Sequence, residues 1–345
     1  LVAGPRPDRV PLSLAQSRMW FLNQFDTGSA VNNIPVAIRL SGSLDVVALG
    51  AAVSDVVARH EILRTVYPGG AGGPVQRVLP VSAMPVGVVP VPVAADAVLG
   101  EVAAVVSAGF DVTVEVPFRI RLFEVTDAVG EFVLVFVAHH IAADGWSMGP
   151  LTRDVMVAYA ARSAGEVPGW AALPVQYADY SVWQRELLGS EDDPASLLSG
   201  QARFWQTVLA GVPDELNLPA DRARPAVASF AGGRVVFPVS SVTHRGLVRV
   251  ARSQNATLFM VVHAALAVLL ARLSGTEDIV VGTPVAGRGE AELDSVIGMF
   301  VNTLVLRSRV SGGESFEQLV AATKDGDLAA FAHADIPFER LVELV

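Results

Sequence analysis

Residues 131–147 read EFVLVFVAHHIAADGWS, an apolar run that ends in two adjacent histidines and is followed by an Asp-Gly pair. A continuous apolar run of this length is typical of a β-strand that is buried on both faces. Because side chains alternate across a strand, His139 and His140 should face opposite sides. We therefore predict that one histidine packs inward and that the other faces a cleft at the end of the strand.

The segments on either side of this run alternate between strand and helix patterns, which predicts an α/β protein with two lobes. Prolines break up residues 163–232, so we place the domain junction near residue 180, with an N-terminal lobe at 1–180 and a C-terminal lobe at 181–345. The predicted helices are 45–60, 97–110, 147–162 (with Ser147 as N-cap), 242–255, 258–273 and 315–333. The predicted strands are 118–125, 131–140, 233–240, 278–285 and 302–310.

Composition excludes several kinds of site and partner. The net charge is −10 and the chain has no cysteine, which rules out thiolate nucleophiles, disulfides and Cys-ligated metals and argues against nucleic acid as the main partner. The longest apolar helix candidate, 258–271, is too short to span a bilayer and is predicted to be a buried core helix. The first ten residues show no signal-peptide pattern. We expect a cytoplasmic protein without a membrane partner.

Three interpretations of the histidine pair follow from the residues. Adjacent histidines chelate one ion poorly, and H-H-x-x-x-D matches no established ligand spacing, so a metal site is disfavoured. As a catalytic base, a histidine with a pKa of about 6.5 suits proton transfer near neutrality. A turn at Asp144 and Gly145 could then present N–H groups to an oxyanion, and Asp144 could orient a histidine or lock the loop through an arginine. The third interpretation is a satisfied pair in a core turn, and the residues alone leave it open.

The stretch HHIAADGWS resembles the HHxxxDG motif of the condensation domains of nonribosomal peptide synthetases, which share the chloramphenicol-acetyltransferase-like fold. The motif by itself also occurs in epimerisation domains and in free-standing acyltransferases that use CoA or carrier proteins. Further segments resemble other motifs of the family and follow its order over almost the whole chain: SLAQSRMWFL (13–22), RHEILRTVY (59–67), YADYSVWQRE (177–186), IGMFVNTLVLR (297–307) and HADIPFERLV (333–342).

The resemblance implies two chloramphenicol-acetyltransferase-like lobes in a V-shape, with a tunnel between them and a second lobe that is truncated at its C-terminus. It implies that His140 faces the tunnel as the catalytic residue and that His139 is structural. The motif aspartate, Asp144, would point away from His140 and pair with Arg288. Gly145 would leave room for substrate and offer its N–H.

Other motif residues are expected either to line the tunnel or to pack in the core. For Arg18 and Trp20, packing in the core and the cleft is favoured over a direct role, because buried aromatics and stacked cations are common in cores. For Tyr177, core packing competes equally with lining the lobe interface. The asparagine could instead bond to backbone in a segment that crosses between the lobes. These residues are Arg18, Trp20, Trp146, Ser147, Tyr177 and Asn302.

The reaction implied by the resemblance is amide formation between two substrates held as thioesters on 4′-phosphopantetheine arms, with no cofactor bound directly. His140 would act as general base or would position the amine. The implied partners are upstream and downstream peptidyl carrier domains and an adjacent adenylation domain, in antibiotic or siderophore biosynthesis. The segments SRMWFLNQF (17–25) and SAVNNIPVAIRL (29–40) resemble the subtype that joins an L-donor to an L-acceptor.

Two other functions are compatible with the same fold. One is a free-standing acyltransferase that uses CoA or carrier-protein thioesters. The other is a non-catalytic module that recruits partner proteins. The presence of His139, His140, Asp144 and Arg288 counts against the non-catalytic module.

Overall fold

The computed structural model describes residues 1–84, 87–223, 225–226 and 232–344. The chain divides into two compact units. Unit 1 comprises Leu1–Gly189 and Ala286–Asn302, and unit 2 comprises Ser190–Val285 and Thr303–Val345.

Unit 1 contains most of the strands. These are β1 (Val10–Pro11), β2 (Asn33–Ser41), β3 (Thr65–Val66), β4 (Val75–Val78), β5 (Pro90–Val93), β6 (Phe118–Val125) and β7 (Glu131–His139). Its helices are α1 (Leu14–Phe25), α2 (Val46–Arg59), α3 (Val98–Ser107), α4 (Met148–Ser163) and α5 (Tyr177–Leu188).

Strand β7 is an inner strand of the main sheet of unit 1. Among the described residues, this sheet has the order β2-β7-β6-β5, and a smaller sheet has the order β1-β4-β3. β7 runs antiparallel to β2, with Asn33 opposite His139, and antiparallel to β6, with Phe118 opposite Ala138. Because β7 is hydrogen-bonded on both edges, the residues that follow His139 leave the sheet from a fixed position.

Helix starts in unit 1 follow local capping chemistry. Ser13 and Gln16 form a capping box at the start of α1, and the Asp45 carboxylate accepts the Ala48 N–H at the start of α2. The apolar stripe of α2 packs into the core, where Val53, Val56 and Val57 are buried, as its periodicity predicts.

Unit 2 contains helices α6 (Leu197–Val208), α7 (Ser241–Ser253), α8 (Leu258–Ser274), α9 (Phe316–Phe331) and α10 (Phe338–Leu344), with strands β8 (Asp278–Val285) and β9 (Asn302–Arg309). β8 and β9 pair with each other. α8 packs against α9 through Val261, Ala264, Leu319 and Val320. In the described part of the chain no single helix meets the length and hydropathy expected of a membrane span, although the bent pair α7–α8 does so when taken together.

The apolar helix α8 is buried on one face only. Met260, Val261 and Ala264 are buried, whereas Val262, Leu266 and Leu269 on the opposite face are exposed. The prediction of a fully buried core helix is therefore wrong for that face, because composition alone does not show which side of a uniformly apolar helix is covered. His263 lies on the buried face and is satisfied by Asp327, with His263 Nδ1 2.9 Å from Asp327 Oδ1.

Two predictions of local structure are corrected. Residues 233–240 are not a strand: they are exposed and, among the described residues, no strand pairs with them. A strand needs a hydrogen-bonded neighbour, and Pro238 removes one donor from this segment. The stretch 163–232, predicted to be irregular, holds α5 and α6, because its prolines lie outside these two helices.

The domain boundary also differs from the prediction. Residue 180 lies inside α5, and all of α5 belongs to unit 1. Residues 286–302, which the sequence placed in the second lobe, return to unit 1 as well. Their return depends on hydrogen bonds between residues far apart in the chain, which local sequence patterns do not reveal.

Candidate active site

His139 ends β7 as a buried, neutral side chain. It is 1% exposed, and its ring lies edge-on to Phe110 with 6.2 Å between the centroids. The Ile141 N–H donates to His139 Nδ1 at 3.1 Å, which assigns the ring proton to Nε2. Burial, with a smaller effect from His140, lowers the pKa of His139 to about 4. This geometry supports a structural role for His139.

The lowered pKa of His139 makes the stability of the protein depend on pH. The unfolded histidine binds a proton below about pH 6.5, but the folded one does so only near pH 4, so the unfolded state binds more protons in between. We therefore expect the contribution of His139 to be complete above pH ~6.5 and to decline by about 3 kcal/mol towards pH ~4.

Urea unfolding of the wild type and of His139→Gln across this range measures the effect. The Gln variant should lose part of the pH dependence, and the difference between the two curves isolates His139 from the other titrating groups. Parallel curves for the two proteins would contradict the assignment.

His140 lies one residue beyond β7 and is half-buried. Its backbone N–H donates to the Asn32 carbonyl at 2.7 Å, which extends the pairing with β2 past the strand end. Its ring Nδ1 lies 2.9 Å from the sulfur of Met299. A thioether can accept but not donate, so we assign the ring proton to Nδ1 and leave a lone pair on Nε2.

The surroundings of His140 favour the neutral ring. Burial lowers its pKa. Hydrogen bonds to the backbone at His140 and Ala143 and the negative charge of Asp144 oppose this effect, and the positive charge of Arg18 adds to it. A neutral imidazole can accept a proton or a hydrogen bond at Nε2 near neutral pH.

Asp144 is fully buried, and its carboxylate is bonded to groups other than His140. Oδ1 accepts from the Ser147 N–H at 2.8 Å and from the Ser147 hydroxyl at 2.7 Å, while Oδ2 accepts from the Phe300 N–H at 3.1 Å. Arg288 Nη2 lies 3.4 Å from Oδ1. These contacts satisfy a buried charge and tie the turn after β7 to residues 286–302.

Arg288 is held by more than its pairing with Asp144. Its Nη1 donates to the Val296 carbonyl at 2.8 Å, its Nη2 donates to the Ser147 hydroxyl at 3.0 Å, and its guanidinium lies 4.1 Å from the ring centroid of Phe300. The expected Asp144–Arg288 contact is present, but at 3.4 Å it is longer than a charge-assisted hydrogen bond of about 2.7–2.9 Å. The arginine therefore supports the whole segment that carries Met299.

Ser147 occupies the predicted N-cap position of α4, but its hydroxyl makes no capping bond. The hydroxyl instead lies 2.7 Å from Asp144 Oδ1 and 2.9 Å from the Gly298 carbonyl, and it accepts from Arg288 and from the Gly298 N–H. A hydroxyl has one proton, and the shorter distance assigns it to the carboxylate. Ser147 is thus the centre of the buried polar cluster.

Gly145 and Gly298 both flank the site but have opposite surroundings. A Cβ built at Gly145 would meet no heavy atom of the described residues within 4 Å, whereas at Gly298 it would lie 2.0 Å from the Tyr177 ring. We expect Gly298→Ala to cost about 1–3 kcal/mol of stability and Gly145→Ala to change it by no more than about 0.5 kcal/mol.

Denaturant unfolding of the two glycine variants checks this contrast. Equal stabilities would show that the loop at Gly298 can move away from Tyr177. A loss of activity in a normally stable Gly145→Ala protein would indicate that a ligand approaches the space beside this residue.

Two of the remaining motif residues are packing groups of unit 1. Tyr177 is 1% exposed, donates its hydroxyl proton to the Met299 carbonyl at 2.6 Å, and lies 2.8 Å from the Ser13 hydroxyl. Burial raises its pKa well above the usual value, so it stays a neutral donor. Trp20 donates its indole N–H to the Tyr67 carbonyl at 2.8 Å.

Trp146, Arg18 and Asn302 are more accessible. The Trp146 side chain is 65% exposed, so it contributes little to the core. Arg18 and Asn302 are half-buried, and Arg18 acts on His140 through its charge.

Two residues of the site escaped the sequence analysis. Met299 contacts the His140 ring, and the fully buried Gln16 donates its side-chain N–H to the Ile141 carbonyl at 3.1 Å. Both lie inside motif segments quoted above, so their place in the family motifs could have nominated them. Their partners are distant in sequence and could not have been identified in this way.

The two histidines do not form a chelating pair. Nδ1 of His139 accepts the Ile141 N–H, whereas Nδ1 of His140 contacts Met299. Within the described residues, no group of three or more His, Asp or Glu side chains is placed to hold a metal ion. The two rings therefore have different partners.

Comparison with known proteins identifies relatives along almost the whole chain. A family model described as the condensation domain matches residues 7–345. An isonitrile lipopeptide synthase of Mycobacterium tuberculosis is 48% identical over 99% of this chain, and a dimodular nonribosomal peptide synthase of Bacillus subtilis is 45% identical over 100% of it. The chain spans 14% of the length of each of these two proteins.

The fold is also found among solved structures. The complex of the X-domain and OxyB from teicoplanin biosynthesis contains a chain with a TM-score of 0.91 and 39% identity. The match covers 99% of this chain and 74% of that one.

Proposed function

The chain belongs to the condensation-domain family, and on this premise we propose that it forms an amide bond between two carrier-bound substrates. The observation that carries the proposal is the orientation of His140. Its Nδ1 is directed at Met299, which leaves the Nε2 lone pair for the reacting amine, and Gly145 leaves open space nearby.

In the proposed reaction, the α-amine of an acceptor aminoacyl thioester attacks the carbonyl carbon of a donor thioester. Both substrates are carried on 4′-phosphopantetheine arms, supplied by upstream and downstream carrier domains beside an adenylation domain. The C–N bond forms, the C–S bond breaks, and the amine loses a proton. The donor's phosphopantetheine sulfur leaves and takes up a proton as the free thiol of its carrier domain. A thioester is already activated, so no covalent enzyme intermediate is required.

His140 serves this reaction in one of two ways. As a general base, Nε2 takes the proton of the attacking amine, an effect typically of about 10²–10⁴-fold. As a positioning group, Nε2 accepts a hydrogen bond from the amine and fixes its direction of attack. The neutral ring supports both roles, because an imidazolium could perform neither.

We further propose that the domain joins an L-configured donor to an L-configured acceptor. The segments that suggest this subtype form α1 and β2, and β2 pairs with β7 up to His139. A donor carrier loaded with the L- or the D-amino acid tests the subtype, and equal product from both would contradict it.

The test of the function uses two carrier domains loaded with different aminoacyl groups. With the domain present, mass spectrometry should detect a dipeptidyl thioester on the acceptor carrier above the level formed without the domain. Product formed as readily from CoA thioesters would indicate a free-standing acyltransferase instead. Absence of product with both kinds of thioester would refute the proposal.

A second candidate function is recruitment of a partner protein. This candidate has a specific basis, because the solved X-domain of the same fold is in complex with a partner, OxyB. The buried cluster of Asp144, Ser147 and Arg288, which supports the Met299 contact with His140, favours catalysis. Stable capture of a partner without any dipeptidyl product would favour recruitment.

The contact between Met299 and His140 gives a further prediction for the proposed reaction. Met299→Leu keeps an apolar side chain of similar size but removes the sulfur acceptor, so Nδ1 loses its contact with the sulfur. We expect a two- to tenfold lower rate, roughly the value of one hydrogen bond, with little change in stability. Single-turnover kinetics measures the rate, and an unchanged rate would show that the sulfur does not orient the ring.

A further inference from the structure

The peptide group that joins Met299 to Phe300 is held on both of its sides. Its carbonyl oxygen accepts from the Tyr177 hydroxyl at 2.6 Å, and its N–H donates to Asp144 Oδ2 at 3.1 Å. A peptide group is planar and turns as one unit, so bonds on both sides fix its orientation. The Met299 side chain leaves the chain at one end of this unit, and its sulfur lies 2.9 Å from His140 Nδ1.

The ring of Tyr177, the first residue of α5, restricts the residues on either side of Met299 as well. A Cβ at Gly298 would lie 2.0 Å from this ring, and the Phe300 ring packs edge-on against it with 4.9 Å between the centroids. One side chain therefore contacts three consecutive residues of the segment that reaches His140. Phenylalanine would fill the same space, so the hydroxyl is the part of Tyr177 that serves the Met299 carbonyl.

The Tyr177 hydroxyl is the middle of a directed chain of hydrogen bonds. A phenol has one proton, and the Met299 carbonyl takes it, so the Ser13 hydroxyl at 2.8 Å donates to Tyr177. The Ser13 oxygen in turn accepts the Gln16 N–H at 3.1 Å. Hydrogen bonds in such a chain polarise and strengthen one another. The first turn of α1 therefore supports the bond between Tyr177 and Met299.

All members of this chain are buried. Ser13 and Gln16 are 0% exposed, Tyr177 is 1% exposed and Met299 is 5% exposed. In a buried place, a hydroxyl or carbonyl that loses its partner is costly, so each group keeps the bond that it has. The Met299 peptide therefore has one favoured orientation.

From these contacts we propose that Tyr177 is a positioning residue for His140. Its hydroxyl fixes the Met299 peptide, keeps the Met299 sulfur on His140 Nδ1, and so leaves Nε2 for the reacting amine. The effect on the rate rests on the proposed function, whereas the effect on the His140 ring does not depend on any reaction. Packing alone would need the ring of Tyr177 but not its hydroxyl.

The tautomer of His140 tests the proposal without turnover. With ¹⁵N-labelled histidine, NMR distinguishes protonated from unprotonated ring nitrogens, and comparison with His140→Gln identifies the His140 signals among those of the six histidines. In the wild type, Nδ1 should carry the proton. In Tyr177→Phe the sulfur is no longer held in place, so the proton should be shared between the two nitrogens. An unchanged tautomer in folded Tyr177→Phe would overturn the proposal, as would a wild-type ring protonated at Nε2.

Tyr180→Phe is the matched control on the same helix. Tyr180 is also buried, packs its ring 4.8 Å from that of Phe300, and accepts a hydrogen bond from Gln184 at 2.9 Å. Both variants lose a buried hydroxyl bond and should lower the thermal midpoint by a few degrees. Only Tyr177→Phe should alter the His140 ring, and equal changes in both variants would overturn the proposal.

A milder variant covers the case in which Tyr177→Phe does not fold. Ser13→Ala keeps the ring and the hydroxyl of Tyr177 but removes the group that donates to this hydroxyl, which weakens the bond to Met299. The His140 signals should move in the same direction as in Tyr177→Phe, but by less. Signals that stay at their wild-type positions in Ser13→Ala, where Tyr177→Phe is unfolded, would overturn the proposal.

The rate of amide formation supplies a second test. Tyr177→Phe should lower the single-turnover rate by about two- to tenfold, the range expected for Met299→Leu, with little change in the substrate concentration at half-maximal rate. Because Tyr177 acts through Met299, the double variant should be no slower than the slower single variant. Losses that multiply in the double variant would overturn the proposal, because they would show two independent effects.

The outcomes separate this inference from the proposed function. If the His140 ring responds to Tyr177→Phe but no amide forms from any thioester, Tyr177 stands as the residue that orients the ring and the proposed reaction falls. If amide forms but the ring does not respond, the proposed reaction stands and the positioning role of Tyr177 falls.

Discussion

Replacing His140 by alanine is expected to lower the rate of dipeptidyl-thioester formation by about 10²–10⁴-fold while the protein remains folded. The His140 ring is half-buried, and its contacts are with a weak acceptor, the Met299 sulfur, and with the adjoining backbone at His140 and Ala143. Little stability should therefore be lost with the ring. Single-turnover assays with loaded carrier domains measure the rate, and thermal unfolding checks the fold.

The neighbouring histidine is the matched control for this experiment. His139→Ala removes a buried ring and an acceptor for the Ile141 N–H, so it should lower the thermal midpoint more than His140→Ala does. In the folded fraction of His139→Ala, however, the rate should fall less than it does in His140→Ala. An unchanged rate in a folded His140→Ala protein would refute the assignment of His140.

The glutamine variant separates the two roles of His140. Glutamine offers a hydrogen-bond acceptor of similar reach but cannot take a proton near neutral pH. If His140→Gln recovers most of the rate lost in the alanine variant, the histidine positions the amine. If both variants are equally slow, proton transfer is the main contribution.

Replacing Arg288 by methionine is expected to cost about 3–5 kcal/mol of folding free energy, the usual price of leaving a buried charge without its partner. Asp144 is 0% exposed, and the Arg288 side chain is 3% exposed. The variant also removes the hydrogen bonds that Arg288 donates to the Val296 carbonyl and to the Ser147 hydroxyl. Activity should fall as well, because residues 286–302 carry the Met299 contact to His140.

Chemical denaturation of Arg288→Met measures the stability loss. The control is Arg39→Met, which removes a surface ion pair with Glu131 and should change the stability little, because water and salt screen an exposed pair. The double variant Asp144→Asn with Arg288→Met should lose less than the sum of the two single variants, because the buried charge is then removed together with its partner. Strict additivity would show that the two residues are not coupled.

Much of the fold could be predicted because its signals are local. The apolar run of β7, the stripe of α2 and the capping residues Asp45 and Thr257 act within a few residues of the chain. The predicted strand at 233–240 failed for the opposite reason. Its apolar pattern is local, but a strand requires a neighbour, and the pattern does not say whether one is present.

The site was predicted in part. Strand alternation separated His139 from His140, and the resemblance to condensation domains nominated Asp144 and Arg288. Neither source showed that Ser147 stands between the aspartate and the arginine. Its position before a helix predicts a capping role. In the structure its hydroxyl bonds instead to a buried carboxylate and a guanidinium, because these charge-assisted hydrogen bonds are stronger than a capping bond.

By itself, the sequence determined the position of strand β7 and of the two histidines at its end, because a hydrophobic run is a property of adjacent residues. The prediction that this strand is buried on both faces is wrong, since Leu134 and Phe136 are only partly buried. Only the tertiary structure decided that residues 286–302 join unit 1 and bring Met299 to the His140 ring. The tertiary structure also decided that Leu134 and Phe136, on one face of β7, are only partly buried. Hydrogen bonds across more than a hundred residues, and the space left between a sheet and its helices, depend on how the elements pack rather than on their order in the chain.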